Sequence, residues 1–196
     1  SLDPRMLLDR LRARERAEAV HTEAAVRETK HAQPVNDLET HLLTVFLHHP
    51  EVVRSVNAHL QQNETLGSEI GKPVSESDFR SDCRLIWSAI AEIREQPEYQ
   101  LEDFLPSAML ERVQRWMAVQ LPEKGLGQWE RDAARTLLRM RLRNLRSRKK
   151  EVDTILIEAQ AKGDIEAMSQ ALRAIQQLMQ NLKQIQQALA RKPIKA

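Results

Sequence analysis

Cysteine occurs once, at Cys83, glycine five times, and aromatic residues make up only 4% of the 196 residues. A single thiol excludes an internal disulfide framework and a multi-cysteine zinc site, and it fits a reducing compartment. With so little glycine and so few aromatics, and with Ala, Leu, Gln, Glu and Arg dominating, the composition is that of long helices; almost no strand is expected. Charge of one sign is also missing. Thirty basic side chains face 28 acidic ones, a formal net charge of +2, so no global field draws the molecule onto nucleic acid and any such binding must be local. No apolar run approaches the roughly 20 residues that span a bilayer, and Asp3 and many charges stand where a signal peptide would carry an apolar core. A cytoplasmic protein without membrane contact is expected.

Motifs that bind phosphate or activate a nucleophile are absent as well. There is no Gly-rich phosphate loop, no Gly-x-Ser-x-Gly turn and no clustered Asp triplet for magnesium. The frequent carboxylates are spread among arginines at spacings that give weak i, i+4 pairs rather than an acid/base couple. The expectation is a chain with no catalytic residues, no metal, no cofactor and no small-molecule substrate.

What is present is helical periodicity. Asp3-Pro4 opens a helix anchored by Met6, Leu7, Leu8 and Leu11, after which residues to 32 are polar nearly all round; residues 1–36 read as a helical connector. Leu38, Leu42, Val45 and Phe46 then form one apolar stripe that stops at His48-His49-Pro50. Pro50 suits the first turn of a second helix that buries Val52, Val53, Val56 and Leu60. Residues 61–77 read as a surface loop, closed by Ser77 or Asp78 as the cap of a helix through Phe79, Leu85, Ile86, Trp87, Ile90 and Ile93. Short elements at 101–105 and 107–121 complete a helical bundle over 37–125.

The final segment, 126–196, repeats at coiled-coil spacing. Leu138, Leu142, Leu145, Val152, Leu156 and Ala159 keep a 4-3 rhythm with Lys149 in one slot, and Ile165, Met168, Leu172, Ile175, Met179, Leu182, Ile185 and Leu189 continue it beyond Gly163-Asp164. Folded back antiparallel, six pairs from Ala159–Met168 to Leu138–Leu189 have residue numbers adding to 327 or 328, the near-constant sum a hairpin requires. Gly163 suits a left-handed helix stop and Asp164 the next start. Lys149 would lie opposite Met179 and run its ammonium outward along its stem. The expected fold class is all-α: a compact helical bundle followed by a long antiparallel C-terminal helical hairpin.

Three groups of side chains invite a chemical reading. His41, His48 and His49 are close in sequence, but zinc wants three or four ligands and no Cys or carboxylate cluster supplies the rest; they read as helix-end residues partnering carbonyls. Cys83, between Phe79 and Trp87, reads as a small hydrophobe. Between Arg131 and Lys150 nine basic residues face only Asp132. Such an arm is either a solvated helix flank or a groove for single-stranded nucleic acid using Arg139, Arg143, Arg146 and Lys150, with Trp129 available for stacking. Trp87, Trp116 and Trp129 read as core anchors.

Three stretches together resemble the C-terminal region of bacterial DNA primases: LETHLLTVFLHHPEVV at 38–53, SDFRSDCRLIWSAIAEI at 77–93, and the helical pair at 137–189. Residues 2–20 resemble the last helix of that family's catalytic core. The resemblance implies a non-catalytic region that docks on the N-terminal domain of the replicative DNA helicase and couples primer synthesis to the replication fork. Polymerisation would belong to other domains, so no active-site residue is carried over. For such an adaptor the contact surface is expected on the hairpin tip and outer faces, with Glu158, Lys162, Asp164 and Glu166 as the tip residues. The first two stretches also resemble the helicase's own N-terminal domain; a terminal hairpin with no ATPase motor after it favours the primase.

Overall fold

A computed structural model describes residues 37–96 and 98–190; the connector expected at 1–36 lies outside them. The described residues are all-helical, with no strand among them. Seven helices follow in order: α1 Asp37–His48, α2 Pro50–Gln62, α3 Ser81–Glu95, α4 Leu101–Phe104, α5 Ser107–Met117, α6 Leu126–Lys162 and α7 Ile165–Ala190, with a 3-10 turn at Glu76–Asp78 before α3. No helix among them is long and apolar enough to cross a membrane.

The helix ends follow local chemistry. Pro50 occupies the first turn of α2, where its missing N–H costs nothing. Gly163 adopts φ +67°, the left-handed stop that a side chain would resist, and its N–H and that of Asp164 close on the last carbonyls of α6. The Asp164 carboxylate accepts the N–H of Ala167 at 3.0 Å and so caps α7. The start of α3 departs from expectation. Its N-cap is Arg80, Phe79 lies outside the helix, and Asp78 does not cap it, because that carboxylate is buried and engaged by Arg141.

One buried cluster joins α1, α2, α3 and the first half of α6. It contains Leu42, Leu43 and Phe46 of α1, Val53 and Leu60 of α2, Ile86 and Trp87 of α3, and Trp129, Leu137 and Met140 of α6. Phe79 stacks on Trp87 at 5.3 Å and Phe46 tilts against the same ring at 5.6 Å. α6 is longer than the basic and leucine repeat alone indicates, beginning at Leu126, and its first turns belong to this cluster.

The segment expected as a surface loop is a built part of that core. Leu66, Ile70, Val74 and Asp78 are buried, the Val74 N–H donates to Asn57 Oδ1 at 2.8 Å, and the Gly67 N–H to Gln184 Oε1 at 3.3 Å. Three of its carbonyls share one donor group. The Arg141 guanidinium, itself buried, donates to Ile70 O, to Lys72 O at 2.9 Å and to Pro73 O at 3.0 Å. Buried carbonyls need partners, and one cation replaces a strand or helix ladder here.

α6 and α7 pack against each other. On α6 the half-buried or buried positions Leu142, Leu145, Lys149, Val152, Leu156 and Ala159 are those the periodicity indicates. On α7 the repeat differs from expectation. Ala171 and Leu178 are buried, while Leu172 and Met179 are half exposed. Met168, Ala171, Ile175, Leu178, Leu182, Ile185 and Leu189 keep an unbroken 3-4 alternation, whereas a choice by apolar size skips the small Ala171 and moves both positions by one. Lys149 accordingly does not run past Met179; its ammonium sits 2.8 Å from the Asp153 carboxylate one turn on.

Candidate interaction surfaces

The nine basic residues of 131–150 separate into structural and surface roles. Arg141 points into the core and grips Asp78 with two parallel bonds, Nε to Oδ1 at 2.7 Å and Nη2 to Oδ2 at 2.8 Å. Such a fork-to-fork pair is the strong form of an ion pair, and its remaining donors reach the loop carbonyls. Asp78 also accepts the Ser75 N–H at 3.0 Å. Every polar atom of this pair is therefore matched, the condition under which a buried charge pair is tolerated.

Arg139, Arg143, Arg146 and Lys150 are brought together. They line one groove of about 450 Å³ with Arg80, Ser147 and Leu142. The spacing i, i+4, i+7 and i+11 places the four on one face of α6, about 16 Å long. Arg143 is half-buried and ion-paired with Glu39, a carboxylate with no solvent exposure that also accepts the Arg80 N–H at 2.9 Å. Arg80 Nε donates to Asn144 Oδ1 at 3.1 Å, and Asn144 Nδ2 donates to Asp78 O at 3.2 Å. Ser81 takes φ +44°, a left-handed turn rare for a residue with a Cβ, and brings Arg80 to this wall at the start of α3.

Sequence reasoning missed Arg80 and Glu39, and it gave Asp78 the role of a helix cap. Nothing in their spacing marks Arg80 as a neighbour of residues about 60 positions away, and Glu39 sits in an apolar stripe where a charge reads as the helix's outer face. Trp129 is not available for stacking. It is buried in the cluster, packed on His49 with ring centroids 5.6 Å apart and covered by the Lys124 ammonium at 4.7 Å.

The tip residues Glu158, Lys162, Asp164 and Glu166 are all exposed around the Gly163 turn. Beside them runs an apolar stripe that sequence reasoning had assigned to the seam. Ile165, Leu172 and Met179, at seven-residue spacing on α7, are 81%, 53% and 51% exposed.

The remaining candidates have structural roles. His48 Nε2 donates to the Trp116 carbonyl at 3.2 Å, joining the end of α1 to the end of α5. Cys83 is buried, and its thiol is pushed up to about 11, first by burial and then by the Glu39 carboxylate. It packs as a small hydrophobe. Comparison with protein-family models, curated proteins and solved structures finds no match.

Proposed function

We propose that this chain is the helicase-binding C-terminal part of a bacterial DNA primase, recruiting primer synthesis to the replication fork without carrying catalytic residues itself. The observation that carries the reading is the placement of the three primase-like stretches on α1 and α2, on the 3-10 turn and α3, and on the α6–α7 pair. The Asp-Phe pair of the second stretch has distinct structural uses, Asp78 in the Arg141 clamp and Phe79 against Trp87. On this reading α1 to α5 with the first turns of α6 form a bundle, and the rest of α6 with α7 forms a hairpin that presents the partner surface. That surface is the Ile165, Leu172 and Met179 stripe with Glu158, Lys162, Asp164 and Glu166 around it.

Calorimetric titration against the N-terminal domain of the replicative helicase from the same organism tests it. Micromolar or tighter binding is expected, weakened at least tenfold by Ile165→Glu with Leu172→Glu while helicity stays intact. Unchanged binding by that variant moves the contact off α7. Absence of binding by the unaltered chain overturns the adaptor role.

A further inference from the structure

From the groove between α6 and the start of α3 we infer a second binding site, one for the phosphodiester backbone of nucleic acid. Five cationic side chains line it, Arg80, Arg139, Arg143, Arg146 and Lys150, with the Ser147 hydroxyl and no carboxylate among the lining residues. Glu39 neutralises Arg143 from beneath, but no carboxylate pairs with Arg80, Arg139, Arg146 or Lys150 among the described residues. Like charges one turn apart on a helix, as at Arg139–Arg143 and Arg146–Lys150, repel. A surface flank relieves this with interspersed acids; this face does not. One guanidinium wall is pre-set, that of Arg80, whose Nε is held by Asn144. A fixed fork of this kind matches phosphate oxygens with little ordering left to be done on binding.

The chemistry of the lining selects the ligand. Leu142 is the single apolar residue in it. An acidic peptide would find charge but no pocket for an anchoring side chain, and tight peptide binding depends on such anchors. No aromatic lines the groove, and Trp129 is buried, so bases are neither stacked nor read. What remains is recognition of consecutive phosphates by a straight row of cations. Contact of this type fixes a strand in place and carries no sequence information. The site stands apart from the α7 stripe and does not depend on the helicase reading.

Fluorescence anisotropy of the whole chain with labelled oligonucleotides of mixed sequence tests the inference, with single-stranded and duplex arms and an Asp/Glu-rich peptide as competitor. With about four phosphate contacts, affinity should fall roughly 50-fold for single strands and 150-fold for duplex between 50 and 200 mM salt. Arg139→Glu with Arg146→Glu, both exposed, should lower affinity at least tenfold and flatten the salt slope by about two. Arg148→Glu with Arg173→Glu makes the same charge change outside the groove and should shift affinity less than twofold; circular dichroism checks that both variants fold. Equal losses from the two variants, no binding at 50 mM salt, or competition by the peptide at lower concentration than either oligonucleotide would overturn the site.

Discussion

The two halves of α6 use the same amino acids for different ends. From Trp129 to Asn144 the helix buries one broad side and leaves Arg131, Arg135 and Arg139 exposed: Leu137 and Met140 have no solvent exposure, and Arg141 is sealed against Asp78 and three loop carbonyls. From Leu145 to Lys162 it has α7 on one side and solvent on the rest, and its seam positions up to Leu156 are only half-buried. In the first half Leu137, Leu138 and Arg141 belong to a three-dimensional core while Arg131, Arg135 and Arg139 face solvent; in the second, Leu145, Val152 and Leu156 belong to a two-helix seam. The most deeply buried positions are therefore concentrated in the first half of one continuous helix.

The sharpest way to break the contrast is to strip one partner from the buried pair. Asp78→Asn or Arg141→Met should each destabilise by about 3–5 kcal/mol, since a lone buried charge or unmatched carbonyls remain, and urea unfolding reads this directly. Arg146→Met, the same change five residues on, should stay within about 0.5 kcal/mol. Comparable losses from both would mean that the two halves are energetically alike. Next in size, Leu137→Ala should cost about 3–5 kcal/mol and Leu145→Ala about 2, because a half-buried seam residue leaves less cavity behind.

Alkaline titration distinguishes the regions in another way. The Cys83 thiol of the core has a folded pKa of about 11, above its ordinary value near 8.5. A group raised in this direction favours the folded state while neutral, so its contribution is complete below about pH 8.5 and is lost as pH rises towards 11. The unaltered chain should therefore lose stability across pH 9 to 11 relative to Cys83→Ala, by about 2 kcal/mol, and native Cys83 should resist thiol reagents at pH 8. A fast reaction there would place the thiol in solvent. The smallest effect concerns the seam register: Leu172→Ala should change stability by less than about 1 kcal/mol, whereas Ala171→Leu should overpack the contact and cost about 1–3. The reverse order would restore the register in which Leu172 faces α6.

Those registers show what could be read without coordinates. The helices, their proline and glycine ends and the α6 seam follow from short-range chemistry, and Pro50, Gly163 and Asp164 act as their types require. Residues 172 and 179 were misplaced because apolar size was weighed above the 3-4 rhythm, and a rhythm that passes through Ala171 leaves a faint hydrophobic signal. The groove was legible on its α6 side, where four cations share a face by spacing alone. Arg80 was not, since only the folded chain brings α3 to that face. Nor could Arg141 be told from Arg139 or Arg146: the difference is the presence of Asp78, 63 residues earlier.

That separation bears on how the molecule assembles and opens. Closing so long a stretch of chain is entropically costly, and contacts between distant residues are made late in folding. The clamp should therefore form only once α1, α2 and the 63–80 segment are docked, and it should open only with them. Backbone amides at 70–79 and at 129–141 should then exchange with deuterium as one cooperative unit near the global unfolding limit, while those at 150–175 exchange earlier by local fraying. The 150–175 stretch can thus loosen and re-form without unlocking the Asp78–Arg141 clamp.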